Sequence, residues 1–189
     1  MSSIRLLAAD DAPALTELVT VNREFLAPWS PLVAEEFYTE AGQRAVVADM
    51  LEQYQRGTAV PMVILTGSEA GSSEDSRRVA GRVAGRVTLS AIVRRSFQSA
   101  SLGYWLGEEF NGRGLATAAV REVAALAFGE MGLHRIEAAT LPHNVRSRRV
   151  LERNGFSRFG LAPGYLRIAG TWQDHLLFQL LASDLGWPS

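Results

Sequence analysis

The spacing of hydrophobic positions changes near the middle of the chain, where a strand pattern gives way to a helix pattern. Residues 102–106 (LGYWL) are mostly apolar or aromatic, which is typical of a buried strand. From Leu115 onward, apolar residues recur at intervals of three and four, the period of one helix face. The polar turn between these segments contains Gly112 and Gly114. The pattern therefore predicts a strand, a glycine turn and a helix N-terminus in direct succession.

A helix that begins directly after a glycine turn can bind an anion. Its first backbone N–H groups have no partners within the helix, and the helix macrodipole makes this end electropositive. Because Gly112 and Gly114 carry no Cβ, the backbone can come close to a phosphate or pyrophosphate. The two glycines are equally compatible with a simple tight connection, so the flanking sequence has to distinguish the two interpretations.

Similar patterns predict the secondary structure of the other segments. Asp10 or Asp11 is expected to cap a first helix, and Pro28 and Pro31 are expected to end it. The remaining predicted elements are strands at 4–7, 59–66, 79–93, 134–141, 156–168 and 171–181, and helices at 39–55, 115–131 and 145–153.

Turn residues mark several boundaries of these elements. Gly132 is expected to end the central helix, and Asn144 is expected to cap the helix at 145–153. The strand at 79–93 is expected to bend or bulge at a glycine. Residues 67–76, rich in Gly and Ser, are expected to form a mobile hairpin loop, and Gly170 is expected to turn the last hairpin.

The resulting order of elements is β-α-α-β-β-β-α-β-α-β-β, which predicts a mixed α/β fold. The central strand–helix–strand unit should be parallel with a right-handed crossover, whereas the hairpins on either side should be antiparallel. A twisted mixed sheet with helices on both faces is the expected packing. With 189 residues, the chain is expected to form one domain over residues 1–182, followed by a short tail at 183–189.

Composition narrows the class of protein. A net charge of −1 gives no general basic surface for nucleic acid or an anionic membrane. The absence of Cys excludes disulfides, a thiol nucleophile and thiolate metal sites. No apolar run of about 18 residues and no signal-peptide pattern is present, so the cytoplasm is the expected location.

Five parts of the sequence together resemble a known family. Residues 111–116 (NGRGLA) resemble the acetyl-CoA motif of the GNAT N-acetyltransferases, although Asn111 stands where that family has Arg or Gln. Further stretches are similar to the RimJ/RimL branch, whose members acetylate ribosomal proteins: 22–29 (NREFLAPW), 103–106 (GYWL), 142–147 (PHNVRS), and 154–156 (NGF) with 165–175 (YLRIAGTWQDH). The resemblance covers nearly the whole chain.

The resemblance implies a GNAT fold with acetyl-CoA as cosubstrate. This fold has a mixed sheet of about seven strands and about four helices, with a V-shaped splay between two central parallel strands, here 104–106 and 136–140. The pantetheine arm would lie in the splay and pair with the strand edge. A backbone N–H near Leu106 would polarise the thioester carbonyl. The implied acetyl-CoA contacts are Trp105, Leu106, Asn111, Gly112, Arg113, Gly114, Leu115, Ala116, Thr117, Asn144 and Ser147.

Candidate catalytic residues follow from the same resemblance and from the local sequence. The Ser147 hydroxyl would lie near the CoA sulfur and could protonate the leaving thiolate; alternatively, it is a solvated residue of the first helical turn. For the base, Glu137 on the strand beside the splay ranks above Glu108 and Glu109, which lie in a turn. An outward-facing, solvated Glu137 is equally compatible with its alternation with Ile136.

The acceptor is less well defined by the sequence. Phe25, Trp29, Tyr104 and Tyr165 are candidates for its binding site, and Tyr38 with Glu35 and Glu36 could add to it by attracting a cationic amine. Packing and solvation explain these residues equally well. The expected reaction is acetylation of a protein N-terminal α-amine. The alternatives are acetylation of a small amine, such as an aminoacyl compound or antibiotic, and a non-catalytic acyl-CoA-binding module.

Other polar groups carry weaker hypotheses. The three histidines, His134, His143 and His175, are too scattered in sequence to indicate a metal site, and no metal is expected. The arginines of residues 146–153 are expected to be solvated, with contact to the CoA 3′-phosphate as the alternative. Neither a nucleic acid nor a membrane is an expected partner. The family resemblance is compatible with a homodimer.

Overall fold

A mixed sheet of seven strands forms the centre of the computed structural model, which describes residues 3–66 and 81–187. Within these residues the spatial order is β1-β2-β3-β4-β5-β7-β6. The strands are β1 (Ile4–Leu6), β2 (Val60–Leu65), β3 (Val83–Val93), β4 (Ser99–Leu106), β5 (Arg135–Thr140), β6 (Ser157–Ile168) and β7 (Thr171–Leu181). The predicted mixed α/β fold with seven strands is confirmed.

Five α-helices accompany the sheet in the described residues, one more than expected. They are α1 (Ala12–Val21), α2 (Arg23–Leu26), α3 (Glu40–Gln55), α4 (Leu115–Phe128) and α5 (Val145–Arg153). The additional helix arises because the first helix is interrupted at Asn22, before Pro28 and Pro31, which were expected to end it. A 3₁₀ turn over Ala27–Trp29 follows α2.

Two predicted helix caps differ in part or in full from the structure. Asp11 is the N-cap residue of α1, as expected, but its side chain makes no capping bond; it accepts from the Ala8 N–H at 2.9 Å and pairs with Arg5 at 2.6 Å. Helix α4 ends at Phe128 with Gly129 as its C-cap, three residues before the expected end at Met131. Apolar spacing continues past Gly129 because Met131 still packs against the core from outside the helix.

Other boundaries agree with the sequence. The Thr39 hydroxyl accepts from the Gly42 N–H at 3.1 Å and so caps α3. The Asn144 side chain accepts from the Ser147 N–H at 3.0 Å, as expected for the N-cap of α5. Gly170 adopts φ +83° in the β6–β7 hairpin turn. The predicted loop at 67–76 lies outside the described residues.

Irregular pairing bends β3 beside a glycine, as expected. Ala84 has no partner in β2, because Gly85 pairs with Ile64 and Val83 pairs with Leu65. A second irregularity, beyond Ser90, was not expected from the sequence.

Residues 183–187, which were expected to belong to a short tail, are folded against the domain. A 3₁₀ turn covers Ala182–Leu185, and the Trp187 N–H donates to the Ala182 carbonyl at 3.1 Å. Trp187 also lies so close to Gly129 that a Cβ there would come within 3.0 Å of its ring. This segment therefore packs beside the C-terminal end of α4.

The splay that positions the site lies between β4 and β5. These strands are parallel, whereas the other neighbouring strands in the described sheet are antiparallel. Their pairing covers only three positions, from Ser99 with Arg135 to Ser101 with Glu137. Beyond Ser101, the edge of β4 that faces β5 therefore has backbone N–H and C=O groups without ladder partners. The predicted V-shaped opening is present.

The core fixes the helices that carry the site. Helix α4 packs against β2, β3, β4 and β5, and it also contacts α5. It buries the residues of one face completely or nearly so: Ala119, Val120, Val123, Ala124 and Ala127. Burying an aliphatic side chain of Val or Leu size contributes about 1.5–3 kcal/mol, so this face anchors the N-terminus of α4 at the end of β4. None of the helices in residues 3–66 and 81–187 has the length and apolar character needed to cross a membrane.

Candidate active site

The glycine turn before α4 has the geometry of an anion cradle. Gly112 and Gly114 both adopt φ +78°, a left-handed conformation that favours glycine. A Cβ added at either position would meet no heavy atom within 4 Å, so the turn is open on that side. Gly114 is the N-cap of α4 and has no side chain to bond the first-turn N–H groups. The N–H groups of Leu115, Ala116 and Thr117 are thus available to a phosphate.

The amide side chains of two asparagines hold the turn in place through hydrogen bonds to its backbone. Asn111 Nδ2 donates to the carbonyls of Gly107 at 2.9 Å and Glu108 at 3.2 Å, so this residue stabilises the turn rather than extending outward. Asn22 Oδ1 accepts from the Glu108 N–H at 2.7 Å across 86 residues of sequence. Asn22 is only 5% exposed, and its Nδ2 donates to the Leu18 carbonyl at 2.9 Å.

Sequence reasoning missed this role of Asn22. Close packing explains why residue 107 is a glycine, because a Cβ there would lie 2.8 Å from Leu18 Cδ1 and 3.0 Å from Asn22 Nδ2. The only feature that could have indicated the contact is a polar residue directly after the apolar face of α1. The partner, Glu108, has no recognisable relation to it in the sequence.

A hydroxyl pair connects β4 to α5 across the splay. The Tyr104 hydroxyl lies 3.0 Å from Ser147 Oγ and 3.1 Å from the Ser147 carbonyl oxygen. Burial raises the pKa of the Tyr104 phenol to about 12, although its hydrogen bond with Ser147 acts in the opposite direction. If Tyr104 donates to Ser147 Oγ, the Ser147 O–H is free to donate to a ligand. The Ser147 N–H is meanwhile fixed by Asn144.

Glu137 and Ser147 lie on opposite faces of the sheet. Tyr104 points to the α5 face, where it bonds Ser147. Because successive side chains of a strand point to opposite faces, Ser101, three residues earlier on β4, points to the other face. Glu137 pairs with Ser101 and shares its face. The Glu137 Oε1 lies 2.7 Å from Arg135 Nε, and its side chain is about one-third exposed, at 33%.

The two alternative bases differ in their surroundings. Glu109 pairs with Arg82 at 2.9 Å, and both side chains are at least half exposed, at 50% and 59%. Glu108 is exposed, with its backbone rather than its side chain in contact with Asn22. The structure thus places three carboxylates near the splay and assigns none of them the role of base.

Two of the four predicted acceptor residues contact histidines near the end of the splay. The ring centre of Trp29 lies 5.5 Å from that of His143, and His143 directly precedes the N-cap residue of α5. The ring centre of Tyr165 lies 5.7 Å from that of His175. His175 is on β7, where it pairs with the residue of β6 that borders the irregular stretch, and it lies one residue beyond the last β5–β7 pair. Both aromatic residues remain accessible, at 37% and 46% exposure. Phe25 is half-buried.

The β6–β7 hairpin closes this end of the site against the loop after α2. The Ala169 N–H donates to the Ser30 carbonyl at 2.9 Å, and Gly170 approaches Leu32 so closely that a Cβ would lie 2.9 Å from Leu32 Cδ1. The hairpin, the loop at residues 30–32 and Trp29 are therefore one continuous wall.

The two glutamates expected to attract an amine are not equally free. Glu35 forms a bidentate pair with Arg23, whose hydrogen bonds hold the pKa of Glu35 below its usual value. Arg23 also lies 4.4 Å from the ring centre of Tyr38. Glu35 and Tyr38 thus fix α2 to a second 3₁₀ turn, at Glu35–Tyr38, whereas Glu36 is exposed at the surface. In the described residues, no group of three or more His, Asp or Glu side chains could hold a metal ion.

Known proteins are similar to this chain in sequence and in fold. Residues 3–157 match the family described as Acetyltransferase (GNAT) domain. The chain is 36% identical to "Probable N-acetyltransferase YjcK" of Bacillus subtilis (strain 168), over 96% of this chain and 94% of the relative. It is 32% identical to "[Ribosomal protein uS5]-alanine N-acetyltransferase" of Escherichia coli (strain K12), over 96% and 88% respectively.

A solved structure extends the comparison to a ligand. Mycobacterium smegmatis RimJ in complex with CoA-disulfide superimposes with a TM-score of 0.86 and 29% identity. The match covers 97% of this chain and 83% of that one.

Proposed function

The chain belongs to the GNAT family of acetyltransferases and is an acetyl-CoA-dependent N-acetyltransferase, and we propose that its acceptor is the N-terminal α-amine of a protein. The observation that carries this proposal is an anion cradle and an open strand edge on one side of a splayed sheet, facing an accessible aromatic wall. A relative named for acetylating the alanine of ribosomal protein uS5 supports a ribosomal protein as the acceptor.

Acetyl-CoA fits the donor side of the site. The first-turn N–H groups of Leu115, Ala116 and Thr117 would bind the pyrophosphate, and the empty space beside Gly112 and Gly114 admits it. The unpaired edge of β4 would pair with the amides of the pantetheine arm as an added strand does. Together, these groups would bring the thioester to the end of β4, beside Trp105 and Leu106.

The reaction requires one C–N bond to form and one C–S bond to break. A backbone N–H near Leu106 would stabilise the negative charge that develops on the carbonyl oxygen. Ser147, with Tyr104 holding its Oγ in place, would give its proton to the departing sulfur and regain one from solvent. The proton lost by the amine would leave on the opposite face of the sheet.

The amine needs only modest help to lose that proton. An α-amine has a pKa of about 7.7–8.0, whereas a lysine side chain has one of about 10.4. Glu137 lies on the face opposite Ser147 and is proposed as the base, acting directly or through water. Its carboxylate is held in an ion pair with Arg135, so transfer through a water molecule would leave that pair intact.

Release of the CoA thiol provides a direct test of this function. Because the sequence contains no Cys, a thiol reagent such as DTNB would have no protein background. We expect release with peptides that begin with Ala or Ser, and none with N-terminally blocked peptides that carry an internal lysine. The enzyme itself contains no lysine, so its own side chains offer no competing ε-amine.

Two outcomes would contradict the proposal in different ways. Release with small amines but with no peptide would assign the enzyme a small-molecule acceptor. Tight binding of acetyl-CoA without release for any acceptor would instead indicate a binding module.

A further inference from the structure

Arg86 lies on β3 beside the cleft, and its guanidinium has no partner within residues 3–66 and 81–187. It is half-buried, with Val63 as its neighbour in β2 and Trp105 as its neighbour in β4. In the described part of the chain, its side chain makes no hydrogen bond, ion pair or aromatic contact. Arg82, four residues earlier, differs because it pairs with Glu109.

The alternation of side chains along β4 shows which way Arg86 points. Tyr104 faces α5, where it bonds Ser147, so Trp105 points to the opposite face. Arg86 pairs with Trp105 in an unbroken stretch of the β3–β4 ladder and therefore shares that face. The donor groups lie on the other side, on α4, α5 and the strand edge. Arg86 thus belongs to the face left for the acceptor.

A half-buried cation without a partner is unusual in a folded protein. Burial lowers the pKa of Arg86 from its ordinary value, and no carboxylate offsets this effect in the described residues. Guanidinium groups are nevertheless charged at any physiological pH, so the unfavourable desolvation persists. Such a group is explained if a ligand supplies the anion, because a planar fork of donors matches a carboxylate with two parallel hydrogen bonds.

We propose that Arg86 binds a carboxylate of the acceptor, so that the enzyme prefers protein N-termini with an acidic residue at the second or third position. This inference rests on the proposed function and specifies its substrate class. Arg86 lies beside Trp105, at the end of β4 where the thioester would lie. A side chain one or two residues after the reacting amine of a peptide would therefore come close to it. The pair would form only in the acceptor complex.

Matched peptides test the preference directly. Peptides that begin with Ala and differ only in Asp or Asn at position two or three would be compared by kcat/KM. Wild-type enzyme should favour one of the Asp peptides by about tenfold, the effect of a single charge-assisted pair. Arg86→Gln should reduce that ratio to less than about twofold, while Arg86→Lys should retain part of it. The KM for acetyl-CoA should be the same in all three proteins.

Two controls separate recognition from structure and from net charge. Arg56→Gln removes the same charge from the exposed surface of α3 and should leave the peptide ratio unchanged. Arg86→Gln should not lower the melting temperature, because the guanidinium it removes has no partner among the residues that the structure describes.

The inference and the proposed function fail in different ways. Equal Asp-to-Asn ratios in wild type and Arg86→Gln, with peptides still acetylated, would overturn only the role of Arg86. Acetylation of small amines and of no peptide would overturn the proposed acceptor class and this inference with it.

Discussion

The donor and acceptor halves of the cleft are built in different ways. The donor half lies within one continuous stretch, from β4 through the glycine turn to α5, and the groups proposed to contact acetyl-CoA are mainly backbone groups. The acceptor half combines side chains from the loop after α2, from β3 and from the β6–β7 hairpin. This difference indicates that the donor is specified by main-chain geometry, whereas the acceptor is specified by side chains that can change without disturbing it.

The largest expected effect comes from closing the open side of the donor turn. Gly114→Ala would place a methyl group in space that the pyrophosphate is proposed to fill and would strain a residue at φ +78°. We expect the KM for acetyl-CoA to rise by about 30-fold or more, because several N–H contacts depend on this turn. Steady-state kinetics with varied acetyl-CoA would measure it.

Gly57→Ala is a matched control for backbone strain. Gly57 has φ +71°, also has nothing within 4 Å of an added Cβ, and follows the end of α3 away from the cleft. Both variants should lose about 1–2 kcal/mol of stability from the left-handed conformation, but only Gly114→Ala should weaken acetyl-CoA binding. An equal KM in the two variants would remove the turn from the donor site.

The second prediction concerns the buried phenol of the donor half. The pKa of Tyr104 is about 12 in the folded protein and about 10 in the unfolded chain. Stability from the buried neutral phenol is therefore fully present below pH 10 and is lost as the pH rises to 12. Linkage gives a loss of about 2–3 kcal/mol over this window.

Tyr104→Phe should abolish most of that loss, measured by urea unfolding between pH 9 and pH 12. Tyr54→Phe is the control, since Tyr54 is exposed on α3. The absence of Lys and Cys leaves few other groups to titrate in this range. If the unfolding free energy of Tyr104→Phe fell with pH as steeply as that of the wild type, the phenol would already be solvated in the folded protein.

The third prediction tests whether the two halves are mechanically connected. Asn22→Ala would remove the acceptor of the Glu108 N–H and leave that partly buried donor without its partner. We expect a loss of about 2 kcal/mol in unfolding free energy and an increase in both KM values, because the turn carries the donor and borders α2. Asn22→Asp retains an acceptor for Glu108 and should restore part of the donor KM. Destabilisation with both KM values unchanged would limit Asn22 to folding.

The fourth prediction concerns the hydroxyl proposed to protonate the sulfur. Ser147→Ala should lower kcat by about tenfold, a small value for acid catalysis because solvent or Tyr104 could replace the hydroxyl. The KM for acetyl-CoA should change little, since the Ser147 N–H still bonds Asn144. Ser183→Ala, in the C-terminal 3₁₀ turn, serves as the control. An unchanged kcat in Ser147→Ala would exclude its hydroxyl from the chemical step.

Sequence patterns were sufficient wherever the determinants are close together along the chain. Asn144 caps α5 through the Ser147 N–H, three residues away, and the spacing alone predicted it. The seven strands and the splay followed from period and family resemblance. The end of α4 at Gly129 shows that hydrophobic periodicity alone does not locate a helix end. The apolar spacing continues to Met131, which packs against the core although the helix has already ended.

Contacts between distant segments could not be predicted in this way. Asn22 bonds Glu108 across 86 residues, and no local pattern distinguishes it from any polar residue at a helix end. Arg86 is unusual because it is half-buried and the described residues around it provide no carboxylate. A sequence that contains 19 basic residues cannot show which of them is buried without an anion beside it.

The smallest expected effect belongs to Glu137, the proposed base on the acceptor face. Its carboxylate already pairs with Arg135 and is not free to take the proton directly, so Glu137→Gln should lower kcat/KM by only about threefold near pH 8. The deficit should grow below pH 7, where more of the α-amine is protonated, and disappear near pH 9. Arg135→Gln is the informative counterpart, because it removes the ion-pair partner and leaves the carboxylate free to accept the proton, so activity should be equal or higher. If Glu137→Gln retains full activity over the whole profile, water or Glu108 would have to accept the proton, and the acceptor half would act by positioning alone.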